Sequence, residues 1–316
     1  MPHADLHPFE LHHPVFADCL SDHVRTLLEF VALRYAKHEQ RELIDWINTE
    51  RILLDGVPAR PEQCLMAGQI VSVIMPDHWE DAVDTQWHKV WENSEILAVY
   101  KPALLPVSRT TRNLYNTLIQ LVRRQTPFYD AHLLHRLDTE TDGLILIAKD
   151  KASDRKWKKQ LDQLIERKLY HAVVSGHPEW LTNEVECELS ERVDSEIRSQ
   201  VYVAGDQPTT LHKKLRWSKT AFRVLSREGN TSLIECELFT GRKHQIRAHL
   251  KSLGHPIIGD KIYAHEGYFY LKRLDTTLSE RDYEVLQSTH HRLTAVELVI
   301  RPDPDSPSIR LRLNPI

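Results

Sequence analysis

The stretch that decides the fold reads His135-Arg136-Leu137-Asp138-Thr139-Glu140-Thr141-Asp142-Gly143-Leu144 and continues into the apolar run Ile145-Leu146-Ile147-Ala148. The apolar run predicts a buried β-strand from Gly143 to Ala148. Asp138 then lies in the loop that enters this strand, where a carboxylate can be held rigidly and still reach a pocket. On its own this pattern is weak, because an aspartate before a strand is more often a turn or cap residue.

Two later segments strengthen a functional interpretation. The first is Arg167-Lys168-Leu169-Tyr170-His171-Ala172-Val173-Val174-Ser175-Gly176. The second reads Leu238-Phe239-Thr240-Gly241-Arg242-Lys243-His244-Gln245-Ile246-Arg247-Ala248-His249-Leu250 and runs on to Leu253-Gly254-His255-Pro256-Ile257-Ile258-Gly259-Asp260. In this order and spacing, the three segments closely resemble the RluA-type pseudouridine synthases. The resemblance extends from about Trp91 to about Leu298, and the Thr-Gly-Arg…His-Gln-Ile-Arg stretch is its most specific part.

The resemblance implies an activity that needs no cofactor. Enzymes of this family isomerise uridine in folded RNA by breaking the glycosidic bond, turning the uracil and re-forming a bond through carbon five. This reaction consumes no hydride or phosphate, and one carboxylate serves as nucleophile or base. The resemblance implies that Asp138 is this carboxylate, and whether it attacks the sugar stays open. The implied partner is a structured ribosomal or transfer RNA, and we expect the chain to act as a cytoplasmic monomer.

The same resemblance implies a catalytic arginine and a catalytic tyrosine. A lone carboxylate in an apolar pocket would take up a proton, because desolvation raises its pKa. Arg247 is the implied cationic partner, since arginine keeps its charge and can grip a carboxylate with two donors. By helical spacing alone Arg247 could be a surface residue, because Lys243 and Lys251 share its face. Tyr170 is implied to stack on the flipped uracil and assist proton removal; otherwise it is an ordinary strand tyrosine.

Further residues are expected on the RNA side, as contacts to phosphates or bases: Arg136, Arg242, His244 and Lys101. An ordinary surface position is the alternative for each of them. Lys101 belongs to the segment Lys101-Pro102-Ala103-Leu104-Leu105-Pro106-Val107, which matches a family segment. Tyr100 departs from the family, which often has asparagine at that position.

The charge is distributed unevenly along the chain. The 316 residues have a formal net charge of −4. Residues 1–90 carry 7 Lys and Arg against 15 Asp and Glu, a net of −8, whereas residues 91–316 carry 34 against 30, a net of +4. Attraction to phosphates is the sequence-independent component of RNA affinity. We therefore expect the main RNA-binding surface on residues 91–316.

Composition and missing motifs argue against several other classes. The chain has 41% hydrophobic and 27% charged residues, as globular proteins do, and no apolar run approaches the roughly 18 residues of a membrane span. It has no G-x-G-x-x-G, G-x-x-x-x-G-K-[ST] or G-x-S-x-G motif, so dinucleotide, P-loop and serine-hydrolase functions lose their usual support. The 4 cysteines are far apart, as in a reduced protein. The 19 histidines do not combine with cysteines or carboxylates at zinc-site spacing, so no metal is expected.

The chain divides into four expected parts. Residues 1–24 read as an irregular N-terminal arm. Residues 25–75 contain two short helical patterns and an Asp55-Gly56 hairpin turn, and they resemble the small S-four RNA-binding domain. The basic second helix of that domain is missing, because the segment reads His38-Glu39-Gln40-Arg41-Glu42, so RNA binding and a docking role stay equally open. Residues 76–90 read as an acidic linker, and residues 91–316 as the catalytic domain.

Periodicity predicts further elements of the catalytic part. One helix is expected from Asn113 to Gln125, and another after the cap residue Asp150, with Trp157, Leu161, Leu164 and Ile165 on one face. A third runs from Arg242 to Leu253 and stops at Gly254. Strands are expected at Glu95–Tyr100, at Leu169–Ser175, and at Phe222–Leu225 paired with Leu233–Phe239. Since strands and helices do not alternate regularly, we predict an α+β fold with a mostly antiparallel sheet, as the resemblance also implies.

Two other functions compete with the synthase. A glycoside hydrolase would use paired carboxylates, which Asp138 with Glu140 or Asp142 could supply. That function leaves the segments around Tyr170 and Arg247 unexplained. A catalytically inactive RNA-binding module would keep the basic surface but would not need Asp138, Tyr170 and Arg247 together.

Overall fold

The N-terminal part of the chain folds around a small antiparallel sheet. The computed structural model describes residues 9–20, 23–76, 78–205 and 211–313. The elements of this part are β1 (Phe9–Pro14), α1 (Leu27–Arg34), α2 (Gln40–Asn48), β2 (Ile52–Leu54), β3 (Val57–Pro58) and β4 (Ile70–Met75). The strand order is β1-β4-β2-β3, and the two helices share one apolar core with the sheet.

Short-range signals account for much of this small domain. Thr26 and Glu29 form a capping box that starts α1. Asp55 and Gly56 have φ angles of 52° and 77°, as a tight two-residue hairpin turn between β2 and β3 requires. The two helical patterns and the hairpin predicted from the sequence are confirmed.

The predicted irregular arm is wrong for residues 9–14. These residues form β1, in which Leu11 lies opposite Val73 and His13 opposite Val71 of β4. Leu11 and His13 are buried, so the strand turns alternate side chains into the core. The histidines and prolines suggested irregular structure, but the strand forms because β4, far along the chain, offers it an edge. Residues 1–8 and 21–22 of the predicted arm lie outside the described residues.

The predicted linker has no helix or strand from residue 78 to residue 87, yet it is fixed against the predicted catalytic part. Glu80 accepts three hydrogen bonds of 2.7 Å from the backbone amides of residues 114–116. The linker prediction is wrong at its end, because the next strand begins at His88. Residue 77 is outside the described ranges.

The catalytic part is built on one large sheet. Its strands are β5 (His88–Glu92), β6 (Ile96–Lys101), β7 (His132–Leu133), β8 (Asp142–Ala148), β9 (Ile165–Ser175), β10 (Thr182–Ser190), β11 (Tyr202–Val203), β12 (Arg216–Glu228), β13 (Thr231–Leu238), β14 (Leu293–Ile300) and β15 (Ile309–Arg312). Its helices are α3 (Leu118–Gln125), α4 (Lys151–Lys159), α5 (Leu161–Leu164), α6 (Gln245–Ser252), α7 (Tyr268–Asp275) and α8 (Glu280–Leu286). In the part of the chain that the structure describes, no helix is long and apolar enough to cross a membrane.

The sheet is mixed, with antiparallel pairing predominant. Its main path is β11-β10-β12-β13-β9-β14-β8-β6-β5, with β15 beside β14 and β7 beside β8. The pair of β14 with β8 is parallel, and the other neighbours in the described chain are antiparallel. The predicted α+β class and the predicted hairpin of β12 and β13 are confirmed.

The strand β8 is covered on both faces, as its continuous apolar run predicts. Ile145 and Ile147 pack in the core that includes α3 and α6. Leu144 and Leu146 pack in a second core with α4 and α5. The start of β8, which follows the Asp138 loop, is therefore packed on both faces of the strand.

Two predicted helices have different bounds in the structure. α3 begins at Leu118 rather than at Asn113, because the amides of residues 114–116 bond to Glu80. The helix predicted after Asp150 divides into α4 and α5, and Ile165 begins β9. Asp150 does cap α4, since its carboxylate accepts a hydrogen bond of 2.8 Å from the Ser153 amide.

The third predicted helix, α6, begins at Gln245 rather than at Arg242. His244, directly before it, has a left-handed backbone with φ of 54°, so a helix cannot run continuously from Arg242 into α6. At the other end Gly254 has a φ of 82°, as the predicted stop requires. The turn at His244 directs the buried face of α6 toward the loop that carries Asp138.

Candidate active site

Asp138 borders a cavity that the three quoted sequence segments build together. Its loop is closed by a hydrogen bond from the Thr141 amide to the Asp138 carbonyl (3.2 Å), and its side chain is 28% exposed. The cavity has a volume of about 90 Å³. Its lining consists of Arg136, Leu137, Asp138, Thr141, Tyr170, Leu238, Gly241, Arg242, His244, Gln245, Ile246, Arg247 and Leu293. The cavity is small, open to solvent and centred on one carboxylate.

Arg247 is a buried residue of α6 that contacts Asp138 directly. Its Nη1 donates a hydrogen bond of 2.7 Å to Asp138 Oδ2, and its side chain is only 6% exposed. The surface position that helical spacing allowed is therefore wrong. A guanidinium so placed holds the Asp138 carboxylate in one orientation and compensates its charge.

Asp260 completes this ion-pair system, although no role was predicted for it from the sequence. It is fully buried and accepts hydrogen bonds from Arg247 Nε (2.7 Å) and Nη2 (2.9 Å). Its Oδ1 also accepts from the amides of Ile262 and Tyr263. Asp260 stood at the end of the third quoted segment, but only the fold shows that it and Asp138 share one arginine.

The charge state of Asp138 depends on two opposing effects. Burial alone would raise its pKa, because an ionised carboxylate is poorly solvated there. The charge and hydrogen bond of Arg247 outweigh burial and lower the pKa of Asp138 to about 2. Asp138 is therefore ionised at neutral pH, as a nucleophile or base must be.

His244 lies beside the same carboxylate. Its Nε2 is 3.7 Å from Asp138 Oδ2, and its Nδ1 is 3.2 Å from the Tyr263 hydroxyl. Burial, together with the charge of Arg247, lowers the pKa of His244 to about 4. The ring is neutral at neutral pH, so it can donate or accept a hydrogen bond at the cavity without adding charge.

Tyr170 forms one wall of the cavity. It lies in β9, opposite Cys236 of β13 and Ala295 of β14, and is 6% exposed. Burial raises the pKa of the Tyr170 hydroxyl, and the negative charge of Asp138 raises it further. The hydroxyl is therefore protonated at neutral pH, and the ring is held rigidly by the two neighbouring strands.

The two predicted arginines Arg136 and Arg242 are exposed and line the same cavity. Arg242 Nε donates to the Trp217 carbonyl (2.9 Å), which fixes the base of its guanidinium at the rim. Both side chains present positive charge to a molecule that enters the cavity. The structure thus places Arg136, Arg242 and His244 around Asp138.

The prediction that Lys101 contacts RNA is wrong. Its side chain is fully buried, and its ammonium donates to the carbonyls of Pro102, Leu105 and Thr139. Burial lowers the pKa of Lys101 to about 7. Because Thr139 follows Asp138, this lysine ties the Asp138 loop to the segment after β6. The Lys-Pro pattern does not reveal this burial, because it depends on contact with the Asp138 loop, which lies far along the chain.

The two other carboxylates of the loop have partners of their own. Glu140 accepts hydrogen bonds from Lys261 Nζ at both oxygens (3.0 Å each) and from the His291 amide (3.0 Å). Asp142 accepts from the Thr294 hydroxyl (2.8 Å). Neither residue lines the cavity at Asp138, so the paired carboxylates of a glycoside hydrolase do not form here.

The arrangement can hold an ionised carboxylate against a flat ring. It offers a fixed carboxylate, a protonated phenol, a neutral imidazole and a positive rim. Among the residues that the structure describes, no group of three or more His, Cys, Asp or Glu could hold a metal ion. The described groups suit general base or nucleophilic chemistry on a substrate with negative charge around the reacting ring.

Comparisons with known proteins agree on one family. Residues 95–252 match the family model described as RNA pseudouridylate synthase. The dual-specificity RNA pseudouridine synthase RluA of Vibrio parahaemolyticus is 32% identical over 214 residues, 66% of this chain and 78% of that protein. The ribosomal large subunit pseudouridine synthase D of Neisseria meningitidis serogroup B is 27% identical over 240 residues, 72% of this chain and 60% of that protein.

The fold is also similar to a solved structure. Human RNA pseudouridylate synthase domain containing 1 superposes with a TM-score of 0.57 at 20% identity, over 75% of this chain and 86% of that one. The chain belongs to the RNA pseudouridylate synthase family. It is an isomerase that converts uridine in RNA to pseudouridine, which confirms the enzyme class predicted from the sequence.

Proposed function

We propose that Asp138 is the catalytic carboxylate, acting on the target uridine as nucleophile or as base. The observation that carries the proposal is the hydrogen bond of 2.7 Å from Arg247 to a carboxylate that is still 28% exposed. The carboxylate is ionised and oriented, and it remains accessible to a substrate. Asp260 keeps Arg247 in place, so that Arg247 serves as a positioning residue for Asp138.

Tyr170 acts as the stacking and proton-transfer residue in this proposal. Its ring lines the cavity beside Asp138, and its hydroxyl is protonated at neutral pH. A uracil must leave its stack to reach Asp138, and an aromatic wall compensates for the stacking it loses. The hydroxyl then relays the proton from carbon five: its oxygen accepts that proton as its own proton passes to the Asp138 carboxylate in the same cavity.

The proposed substrate is a uridine in a folded ribosomal or transfer RNA. The names of the two relatives indicate a dual-specificity RNA enzyme and a large-subunit ribosomal enzyme. Arg136, Arg242 and His244 surround the cavity and contact the target nucleotide, because positive and hydrogen-bonding groups there suit a phosphate and a base edge. A catalytically inactive RNA-binding protein would not need the ion pair of Asp138 and Arg247.

The N-terminal part is proposed to be an S-four-like domain whose main role here is docking. It shares two helices and a hairpin with the expected pattern, and it adds the strand β1. Tyr115 of the catalytic part packs against its core, and Glu80 fixes the connecting segment. We place the protein in the cytoplasm, because its proposed substrates and its 4 cysteines without disulfides fit a reducing compartment.

The test is to map pseudouridine across total RNA from cells with and without this protein. We expect one site or a few sites to lose the modification and to regain it with the wild-type chain, but not with Asp138→Asn. Release of tritium from carbon-five-labelled uridine in RNA, without release of free uracil, would identify the isomerase. Free uracil as the product would instead show a hydrolase and refute the proposal.

A further inference from the structure

A second cleft, beside the active-site cavity, concentrates positive charge. It has a volume of about 240 Å³ and lies between the end of β10, the start of β12 and the loop before α6. Its lining consists of Leu189, Ser190, Glu191, Val201, Lys213, Lys214, Arg216, Arg242 and Lys243. Five of these residues are basic and one is acidic, although the whole chain has a net charge of −4. The cleft therefore concentrates the positive charge of residues 91–316, whose net charge is +4.

The contacts within the cleft leave most of this charge available. Glu191 accepts a hydrogen bond from Lys243 (2.7 Å) and lies 3.5 Å from Lys213 Nζ. Lys214 and Arg216 are exposed at the rim. One carboxylate shared by two lysines compensates only part of five positive charges. A surface with this excess attracts an extended polyanion rather than a neutral partner.

The floor of the cleft is apolar and buried. Leu189 and Val201 are 2% and 5% exposed and belong to one apolar cluster. The amide of Lys214 donates to the Ser190 hydroxyl (3.1 Å), which ties the strand carrying the basic rim to β10. The backbone at Lys214 is thus hydrogen-bonded to β10, which places the basic side chains along one side of the cleft.

Arg242 connects this cleft to the active site. It lines both cavities, and its Nε is fixed on the Trp217 carbonyl. An RNA strand whose target nucleotide occupies the cavity at Asp138 can therefore continue past Arg242 into the cleft. The shared residue makes a strand of the substrate itself the best-fitting occupant.

We propose that Lys213, Lys214 and Arg216, with Arg242, bind backbone phosphates of the RNA strand that enters the active site. The inference rests on the proposed function, because it takes the substrate to be RNA held at Asp138. It adds Lys213 and Lys214, just before β12, and Arg216, its first residue, which none of the sequence motifs contains. Such contacts fix the register of the strand without reading its sequence.

The test compares two double variants of the full chain that each remove one lysine and one arginine. Lys214→Ala with Arg216→Ala removes the rim of the cleft. Lys151→Ala with Arg155→Ala is the matched control, on exposed positions of α4, which packs on the opposite face of the large sheet from α6. The probe is a fluorescent stem–loop RNA with an all-uridine loop, titrated at several salt concentrations. Thermal melts show whether both variants are folded.

In the cleft variant, we expect log K to fall less steeply with log salt. The slope should be shallower by about 0.7–0.9 for each phosphate contact removed. Its affinity at moderate salt should fall roughly tenfold, and the control should behave like the wild type. With RNA from cells that lack the protein, kcat/KM for pseudouridine formation should fall much more than the turnover at saturating RNA. Equal slopes for the cleft variant and the control would overturn the proposal.

Two further outcomes separate the alternatives. If fluorescent polyglutamate binds the wild type and loses affinity in the cleft variant while the RNA does not, the partner is an acidic polypeptide and the proposal is wrong. If the wild type forms no pseudouridine but the cleft variant still shows the smaller salt slope, the proposed function fails and the phosphate-binding surface stands.

Discussion

At the scale of single residues, the site depends on one arginine shared by two aspartates. Arg247 donates to Asp138 through Nη1 and to Asp260 through Nε and Nη2. Asp260 is fully buried, whereas Asp138 is partly open to the cavity. The buried aspartate fixes the guanidinium, and the guanidinium orients the exposed one. Substitutions of Asp138 and Arg247 test this division of roles.

Asp138→Asn should abolish pseudouridine formation and leave the fold intact, because the amide keeps the shape of the carboxylate but cannot act as nucleophile or base. We expect a loss of turnover on the order of 10³-fold or more. Conversion of uridine in total RNA and a thermal melt measure the two effects. Asp142→Asn is the control and should keep most activity, since Asp142 does not line the cavity. Near wild-type turnover of Asp138→Asn would exclude the proposed role.

Arg247→Met should raise the pKa of Asp138 from about 2 toward or above its usual value, because burial then loses the main charge that opposes it. In the wild type, the ion pair of Asp138 stabilises the folded state at pH values above the pKa that Asp138 has in the unfolded chain. This stabilisation is lost as the pH falls through the lower pKa that Asp138 has in the folded protein. Stability at neutral pH should fall by about 3–5 kcal/mol, since Asp260 also loses its partner.

Arg247→Lys tests the same ion pairs with a folded protein, because it keeps one positive charge but cannot bridge both carboxylates with a planar fork. It should lose activity and keep much of the stability. Carbon-13 NMR titration of the carboxyl groups, with urea unfolding at neutral pH, provides the measurement. An Asp138 titration unchanged in both variants, as expected for the control Arg155→Met, would contradict the ion pair.

Tyr170→Phe should keep RNA binding and lose most turnover, because the ring remains while the hydroxyl is removed. Tyr170→Ala should weaken binding as well, since a stacked base contributes roughly 1–3 kcal/mol by alanine substitution. Binding of the stem–loop RNA and the rate of conversion are measured separately. Full activity of the phenylalanine variant would limit Tyr170 to stacking.

At the scale of elements, the position of Asp138 depends on how β8 starts. Gly143 has a φ of 116°, a conformation that side chains other than glycine rarely adopt. It lies opposite Ala295 in the parallel pairing of β8 with β14. A Cβ atom at Gly143 would lie 2.3 Å from the Ala295 carbonyl oxygen. The absence of a side chain lets the two strands approach just beyond the Asp138 loop.

Gly143→Ala should therefore destabilise the fold by about 2 kcal/mol or more, through backbone strain and the displacement of β14. Gly254→Ala is the matched control: its φ is also left-handed at 82°, but nothing lies within 4 Å of its added Cβ. We expect the control to cost only about 1 kcal/mol. Urea unfolding measures both. Equal losses would show that strain alone matters and that the close approach to Ala295 does not.

At the scale of the whole molecule, the acidic N-terminal domain is docked on the basic catalytic part. An aromatic cluster of Phe9, His78 and Tyr115 joins the two parts. The ring centroids of Phe9 and His78 are 4.9 Å apart, and those of His78 and Tyr115 are 5.2 Å apart. Two of the few basic residues of the small domain pack within it: Arg34 lies over the Phe30 ring and Arg51 over the Trp46 ring. The domain has little positive charge to offer a phosphate backbone.

Replacing the exposed Arg41 and Arg60 by alanine should therefore leave the salt dependence of RNA binding almost unchanged. Residues 1–90 have a net charge of −8, so this domain repels RNA at long range. Removing two of its arginines should therefore release few phosphate contacts. The same stem–loop titration provides the measurement, in the full chain, because separating the docked parts would expose their contact surfaces. A drop in slope as large as that of the cleft variant would restore an RNA-binding role for this domain.

Local sequence determined much of the fold and indicated the main candidate site residues. The apolar run after Asp142 specified β8, the Asp55-Gly56 pair specified a hairpin, and Asp150 specified the start of α4. These signals act over a few residues, where backbone preference and side-chain caps decide the structure. The quoted motifs also indicated Asp138, Tyr170 and Arg247, because their residue types and order resemble one enzyme family.

Only the tertiary structure decided the features that depend on contacts between distant segments. β1 forms because β4 offers it an edge, the Lys101 ammonium reaches the distant Thr139 carbonyl, and Asp260 joins the site by sharing Arg247 with Asp138. The free energy of each of these arrangements comes from partners brought together by folding. The sequence therefore determined which residues could carry the chemistry. The fold decided which of them are in contact, because burial and charge compensation exist only in the folded chain.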